Sequence, residues 1–176
     1  LPFVVELEEN IQGEVLSDSY SLGMYATDAS FYQITPLAVV LPKDIADVKK
    51  AVEIARKHKI KILPRGGGTS LAGQTVGEAL VLDFSKYMNR ILEVNVEERW
   101  VRVQPGLVRD ELNEAMAKHK LHFAPDPATS SRANVGGMVG NNSSGTKSIL
   151  YGKTVDHVLE AEVLLADGTQ MTLKEL

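Results

Sequence analysis

Three consecutive glycines, Gly66 to Gly68, constrain this chain more than any other feature of its sequence. They follow the short apolar run 60–63, which is typical of a buried strand, and they precede a second such run at 80–82. Adjacent glycines cost backbone entropy, so a fold places them where no side chain fits or where φ is positive. A loop of this kind can direct several N–H groups at one point, and the anion that we expect it to bind is a phosphate.

The residues on either side of this loop predict alternating strands and helices. An apolar run at residues 37–41 predicts a buried strand, and Asp44 stands where the N-cap of a helix reaching about Lys59 belongs. Strand, helix and strand then follow within ~25 residues, which is the unit that a parallel pair of strands requires. A short helix is also expected at residues 8–16, and residues 80–83 predict a third strand.

The second half of the chain predicts another group of strands. Residues 91–94 and 100–104 are expected to form two strands, and an amphipathic helix is expected from Val108 to about His119. Residues 158–165 and 170–173 predict a terminal hairpin with a tight turn at Asp167 and Gly168. We therefore predict an α+β fold in two lobes, a small β-α-β lobe and a lobe with a mixed sheet.

A second glycine-rich segment, residues 123–145, has the most unusual composition in the chain. It contains two prolines, four glycines, three asparagines and four serines in 23 residues. Val135, Met138 and Val139 give it one apolar stripe, which predicts one short helix between two loops. Either glycine-rich segment alone is also explained by an ordinary tight turn. Two of them, about 70 residues apart and each after an extended run, favour one shared ligand.

Neither glycine-rich segment matches the common nucleotide-binding motifs. No Gly-Lys-Ser/Thr follows the first loop, so it is not a P-loop, and the spaced third glycine of the Rossmann fingerprint is missing. The formal charge of −4 and the pI near 5.6 argue against a nucleic-acid partner. The chain has no cysteine, which excludes disulfides and cysteine-ligated clusters within it.

The termini and the apolar runs predict the location and extent of the protein. No apolar run approaches the ~20 residues that a membrane span needs, and the N-terminus lacks a basic-then-apolar export pattern. We expect a cytoplasmic protein. Because the chain opens on Leu1 and stops soon after a hairpin, we expect it to be a fragment of a longer protein.

Four charged or titratable residues have alternative interpretations. His119 and His122 have the spacing of two metal ligands, but Leu121 and Phe123 indicate that the helix has ended, so we expect surface histidines and no metal. His157 could be an oriented base, and its position at the start of an apolar strand favours a cap. Arg65 could pair with a carboxylate or lie near a diphosphate, and the second interpretation is favoured.

The motifs of this chain resemble those of one known family. In order and spacing they are similar to the flavin domain of the FAD-linked oxidases, a family that includes vanillyl-alcohol oxidase and p-cresol methylhydroxylase (PCMH). The branch that the chain resembles contains D-lactate dehydrogenase and the flavin subunit of glycolate oxidase. The resemblance runs from about Tyr32 to Thr169 and rests on residues 64–70, 104–106, 125–127, 135–137, 142–145 and 151–152.

This resemblance implies a PCMH-type FAD-binding domain over residues 32–176, incomplete at its C-terminus, after a lead-in segment, residues 1–31. It places the FAD pyrophosphate against backbone N–H groups of the first loop, at Arg65, Gly66, Gly67, Gly68, Thr69 and Ser70, with Gln74 behind them. The flavin and ribityl side would be lined by Gly136, Gly137, Asn142, Ser143, Ser144 and Gly145. The flanking positions are Pro125, Asp126, Ser131 and Asn134, and the far edge is closed by Tyr151 and Gly152.

Some positions differ from those of relatives, and these differences carry expectations of their own. Relatives that bond FAD covalently from the first loop have histidine where Thr69 stands, so the resemblance implies non-covalent FAD. Met138 occupies a position where many relatives have asparagine, and Ser143 and Ser144 replace a smaller pair.

The resemblance also implies a function. The chain would be the FAD-binding part of an oxidoreductase that moves a hydride from a D-2-hydroxy acid, of the D-lactate or glycolate type, to the flavin. No catalytic residue is expected here, because the base and the carboxylate clamp would lie in a substrate domain outside this chain. An iron–sulfur region or another electron acceptor is the implied partner. The alternatives are a non-catalytic nucleotide-binding module and an enolpyruvyl reductase.

Overall fold

A four-stranded sheet forms the centre of the first lobe in this computed structural model, which describes residues 1–174. Its strands are β1 (Glu14–Leu16), β2 (Ala38–Leu41), β3 (Ile62–Arg65) and β4 (Leu80–Asp83), in the order β1-β2-β4-β3. β2 and β3 run parallel to β4, and β1 is antiparallel to β2. Every residue of β2 and β4 is buried, as their continuous apolar sequences predict.

The predicted parallel strands are present, but they are not neighbours. β2 and β3 are both hydrogen-bonded to β4, which lies between them. The glycine-rich loop therefore leaves the edge strand β3 and returns to the centre of the sheet. This order was not visible in the sequence, because it depends on pairing between strands that are far apart along the chain.

Three helices, α1 (Pro2–Asn10), α2 (Ser19–Tyr25) and α3 (Ile45–Lys57), complete this lobe. α3 begins as predicted, with the Asp44 carboxylate accepting the N–H groups of Ala46 and Asp47. Val48, Val52 and Ala55 are buried, whereas Ile45 at the start of the helix is 46% exposed.

The helix predicted at residues 8–16 is wrong. α1 ends at Asn10, and residues 14–16 pair with β2 as the edge strand β1. The turn between them brings Gly13 so close to β2 that a Cβ atom there would lie 2.0 Å from the Leu41 carbonyl oxygen. The lead-in segment thus packs into the first lobe, with Leu7 in its core. The domain boundary expected at residue 32 stays a prediction.

The second lobe contains two antiparallel hairpins rather than one mixed sheet. They are formed by β5 (Ile91–Asn95) with β6 (Trp100–Val103), and by β7 (Glu160–Leu164) with β8 (Gln170–Lys174). The helices between the hairpins are α4 (Arg109–Ala117), α5 (Val135–Asn141) and α6 (Ser148–Tyr151), followed by a 3-10 helix at Thr154–His157. α5 is the short helix predicted within the second glycine-rich segment, whereas α6 and the 3-10 helix were not predicted.

Electrostatic and apolar contacts hold this lobe together. Arg102 of β6 forms ion pairs of 3.0 Å with Glu160 and 3.2 Å with Glu162 of β7. Leu112 and Met116 of α4 are buried against the β5–β6 hairpin.

Among residues 1–174, no helix has the length and apolar character required to cross a bilayer. The cytoplasmic location stays a prediction.

Candidate ligand-binding site

The two glycine-rich segments lie against each other. A Cβ atom on Gly66 would be 2.5 Å from Asn134 Oδ1, and one on Gly67 would be 2.2 Å from the Arg132 carbonyl oxygen. Gln74 Nε2, at the end of the first loop, donates a 3.1 Å hydrogen bond to Asn141 Oδ1. The expectation that the two segments share one side of the molecule is confirmed. Glycine is required at 67 because the Arg132 backbone approaches closely, and at 66 because the Asn134 side chain does.

The first loop presents a row of free backbone donors. Among the described residues, no acceptor receives the N–H groups of residues 66–70. Within this run Gly68 has a φ of 64°, in the left-handed region. A left-handed residue inside a run of free N–H groups is typical of backbone concavities that bind anions. The donor set therefore fits a diphosphate, which presents several anionic oxygens together.

Asn134 connects this loop to the second lobe. Its side chain is 3% exposed, and Nδ2 donates a 2.6 Å hydrogen bond to the Gly106 carbonyl. Its Oδ1 lies against Gly66 and has no hydrogen-bond partner among the described residues. Next to it, a Cβ atom on Gly136 would be 2.6 Å from Pro105 Cβ. Three of the motifs, residues 64–70, 104–106 and 135–137, thus pack together around the buried side-chain amide of Asn134.

The helix α5 offers an open surface beside this junction. A Cβ atom added at Gly137 or Gly140 would meet no atom within 4 Å, although both glycines lie inside a helix. Met138, between them, is 1% exposed and packs inward. The position at which many relatives have asparagine therefore belongs to the core. The open side of α5 has no side chains at 137 and 140, so a flat ligand can approach its backbone.

The loop after α5 is held by backbone hydrogen bonds. Asn142 ends α5 in the left-handed region at a φ of 47°, and its Oδ1 accepts the Val155 N–H at 3.0 Å. The Ser143 carbonyl accepts both the N–H of Thr154 at 3.0 Å and its hydroxyl at 2.7 Å. The neighbouring Ser144 is exposed. Asn142 and Ser143 therefore shape this loop, and their contact with a cofactor stays a prediction.

Asp126 fastens the proline-rich part of the segment to the same loop. Its carboxylate accepts the Lys147 N–H at 3.0 Å and the Thr146 hydroxyl at 3.2 Å. A Cβ atom on Gly145 would lie 2.0 Å from the Asp126 carbonyl oxygen. The adjacent Pro125 is fully buried. This contact explains why glycine is required at 145, independently of any ligand.

Arg65 has partners that were not expected from the sequence. Its guanidinium donates to the backbone carbonyls of Thr27 at 2.8 Å, Thr75 at 3.0 Å and Tyr25 at 3.2 Å. Carbonyls therefore occupy the place of the carboxylate that one interpretation expected. Its contact with a diphosphate stays a prediction.

The remaining predicted positions lie in the first loop, in the second glycine-rich segment and at the end of α6. The Ser70 hydroxyl donates to Gln74 Oε1 and accepts the Ala72 N–H at 3.2 Å, so these side chains order the loop from within. Tyr151 is 46% exposed, and the next residue, Gly152, has a φ of 85°. The two other positions, Thr69 and Ser131, are partly exposed and exposed, respectively.

The histidines have structural contacts. α4 ends at Ala117, so His119 and His122 do not share a helix face, as the sequence indicated. The His122 ring packs edge-on to Tyr151 with ring centroids 5.9 Å apart. His157 lies in the 3-10 helix rather than at the start of a strand, with Nε2 2.9 Å from the Tyr151 carbonyl oxygen. Within residues 1–174, no group of three potential metal ligands is present.

Sequence reasoning missed two carboxylates that position the first loop. Asp83 accepts the Ser85 N–H at 2.8 Å and the Tyr25 hydroxyl at 2.6 Å. Burial and this bond to Asp83 raise the pKa of Tyr25. Asp28 accepts the Thr75 hydroxyl at 2.9 Å. These partners are 58 and 47 residues apart in the chain, so no local pattern could have shown them.

Comparison with known proteins identifies similar sequences. Residues 36–174 match a family model described as an FAD binding domain. D-2-hydroxyglutarate dehydrogenase of Pseudomonas putida is 47% identical over 163 residues, which are 91% of this chain and 16% of that protein. Glycolate oxidase subunit GlcD of Bacillus subtilis is 37% identical over 148 residues, 82% of this chain and 31% of that subunit. The chain thus spans less than a third of either relative.

Solved structures share the fold at lower sequence identity. An alkyldihydroxyacetonephosphate synthase superimposes with a TM-score of 0.87 at 24% identity, covering 99% of this chain and 35% of that one. A p-cresol methylhydroxylase superimposes with a TM-score of 0.81 at 22% identity, covering 97% and 34%. The two-lobed α+β architecture expected from the sequence motifs is therefore confirmed.

Proposed function

Because this chain belongs to the FAD binding domain family, we propose that it is the cofactor-binding part of an FAD-dependent dehydrogenase that oxidises a D-2-hydroxy acid. The observation that carries the proposal is the run of free N–H groups at residues 66–70, in a loop that contacts the segment just before α5, whose side at Gly137 and Gly140 is open. The first feature suits the diphosphate of FAD, and the second suits a flat ring system.

Each part of the site has a distinct role in this proposal. The amides of residues 66–70 donate to the pyrophosphate, while Gly137 of α5 allows the ring system to lie close to the helix backbone. The Asn134 side chain is fixed by its bond to Gly106 and lies against Gly66, so it keeps the two segments in contact. No residue of the site forms a covalent link, since Thr69 carries no nucleophilic ring nitrogen. Bound FAD would supply the hydride acceptor for the oxidation of the substrate α-carbon.

The names of two relatives support the proposed substrate class. One relative is named for D-2-hydroxyglutarate and another for glycolate, and both substrates are 2-hydroxy acids. The groups that bind the substrate carboxylate and remove the hydroxyl proton lie outside this chain, in a substrate domain. The electron acceptor, such as an iron–sulfur region, also lies outside it.

Anaerobic titration of the full-length protein tests this function. We expect a yellow protein whose visible flavin absorbance bleaches on addition of D-lactate, glycolate or D-2-hydroxyglutarate, while L-lactate and L-2-hydroxyglutarate leave it unchanged. Released FAD, identified by mass spectrometry after denaturation, would establish the non-covalent link. A protein that keeps FAD but is bleached by no 2-hydroxy acid would exclude the proposed reaction, and bleaching by NADPH would instead indicate the reductase alternative.

A further inference from the structure

A short segment before the family-matched region, residues 25–32, lies across the glycine-rich loop, and we call it the strap. The Ala29 N–H donates a 3.1 Å hydrogen bond to the Gly68 carbonyl, in the middle of the loop. Farther along, the Tyr32 ring covers Gly73, where a Cβ atom would be 2.5 Å from Tyr32 Cδ2. Gly73 has a φ of 74°, so this part of the loop also needs glycine for its conformation.

A carboxylate fixes the strap to the end of the loop. Asp28 Oδ2 accepts the Thr75 hydroxyl at 2.9 Å and the Thr75 N–H at 3.4 Å, while Oδ1 accepts the Ser30 N–H at 2.8 Å. Burial acts to raise the pKa of Asp28, and the hydrogen bonds from Ser30 and Thr75 outweigh it and lower the pKa. The carboxylate therefore stays ionised and keeps its full strength as an acceptor at neutral pH.

Arg65 fixes the strap to the start of the loop. Its guanidinium joins two strap carbonyls, those of Tyr25 and Thr27, to the carbonyl of Thr75. The side chain also stacks on the Tyr25 ring, with Cζ 5.2 Å from the ring centroid. Through Arg65 and Asp28, the two ends of the loop, ten residues apart, are held to the same strap.

These contacts also orient the loop amides. In a trans peptide the C=O and the following N–H point in opposite directions, and no peptide bond in the described chain is cis. Because the Gly68 carbonyl points toward the strap, the Thr69 N–H points away from it. We propose that the strap holds the glycine-rich loop in its FAD-binding conformation, with Asp28 and Arg65 as positioning residues that act through the loop.

The inference rests on the proposed function, because that function supplies the ligand. Two measurements on the full-length protein therefore test the strap and the function separately. The first is the FAD dissociation constant, obtained from the change in flavin fluorescence as FAD is added to apoprotein. The second is amide hydrogen exchange of residues 66–72 in the apoprotein, which needs no FAD. The variants are Asp28→Asn and Thr75→Val, with Thr75→Ser as the conservative variant and Asp18→Asn, a cap of α2, as the matched control.

We expect Asp28→Asn and Thr75→Val each to weaken FAD binding about tenfold and to speed exchange of the loop amides. The double variant should bind FAD no more weakly than either single variant, because both substitutions remove the same interaction between Asp28 and Thr75. Thr75→Ser and Asp18→Asn should behave as the wild type. If amide exchange of residues 66–72 is unchanged in Asp28→Asn, the proposed role of the strap is wrong, even if the affinity for FAD falls. If the wild-type protein binds no FAD, the proposed function is wrong. The role of the strap is still tested in that case, because amide exchange is measured on the apoprotein.

Discussion

Glycines in this chain serve two purposes that look the same in the sequence. Gly67 faces the backbone of Arg132, so any side chain there collides with the protein whether or not a ligand is bound. Gly137 faces open space, so a side chain there affects only what approaches from outside. A bulky substitution at Gly67 therefore tests the junction of the two segments, and Gly137 is the position that tests the ligand surface.

Gly137→Leu should abolish FAD binding while leaving the fold intact. Leucine fits the open side of α5 and is the better helix former, so we expect the apoprotein to be as stable as the wild type or more stable, by about 0.5–1 kcal/mol. Its side chain would occupy the space in which we place the flavin ring. The measurements are the flavin absorbance of the purified full-length protein and its urea unfolding curve.

Gly23→Leu is the matched control, because Gly23 is also helical and also faces open space, but in α2. It should keep its FAD. Wild-type flavin content in Gly137→Leu would show that α5 does not form the ring-binding surface.

At the scale of elements, the first helix depends on charge. Glu6 of α1 accepts hydrogen bonds of 2.8 Å from Lys57 and from His58, at the end of α3. These two side chains lower the pKa of Glu6 from its ordinary value of 4.5. A carboxylate with a lowered pKa in the folded state stabilises the fold above its ordinary pKa, and this stabilisation is lost as the pH falls through the lowered value.

Glu6→Gln should therefore unfold at a lower temperature than the wild type at pH 7, and the difference should shrink as the pH falls below about 4.5. Thermal unfolding of the full-length protein, followed by circular dichroism at several pH values, would measure this. Glu8→Gln, an exposed position on the same helix, should have no effect at any pH. A difference that stays constant down to pH 3 would contradict the role of this carboxylate.

At the scale of the whole molecule, the two lobes meet where Gly66 touches Asn134. Gly66 has no left-handed φ, so alanine is excluded there only by the Asn134 side chain, 2.5 Å from the added Cβ at its nearest atom. The buried Asn134 amide also needs its bond to Gly106. One glycine and one buried amide therefore form a close contact between the lobes.

Gly66→Ala and Asn134→Ala should each destabilise the protein by about 1–3 kcal/mol, the first through overpacking and the second through the lost hydrogen bond. In the double variant the space left by the amide accommodates the new methyl group. The loss should therefore be smaller than the sum of the two single losses, by at least ~0.5 kcal/mol in urea unfolding. Additive losses would mean that the two residues are not in contact.

Local sequence determined most of the elements. Three features depend only on residues within one turn or one strand: the strand β2, the helix start at Asp44 and the tight turn at Gly168. Each of them could therefore be predicted from the sequence. The two glycine-rich loops and the type of ligand proposed for them also followed from local composition, because a backbone that binds an anion needs residues without large side chains.

Tertiary structure decided which residues hold these pieces together. The insertion of β4 between β2 and β3, the carbonyl partners of Arg65 and the hold of Asp28 on Thr75 are all contacts between distant parts of the chain. Such contacts depend on the path of the whole backbone. The type of a hydrogen-bonding side chain does not specify its partner, because many donors and acceptors suit it equally well. For this reason the sequence alone could indicate the loop proposed to bind the ligand, but not the strap that contacts it.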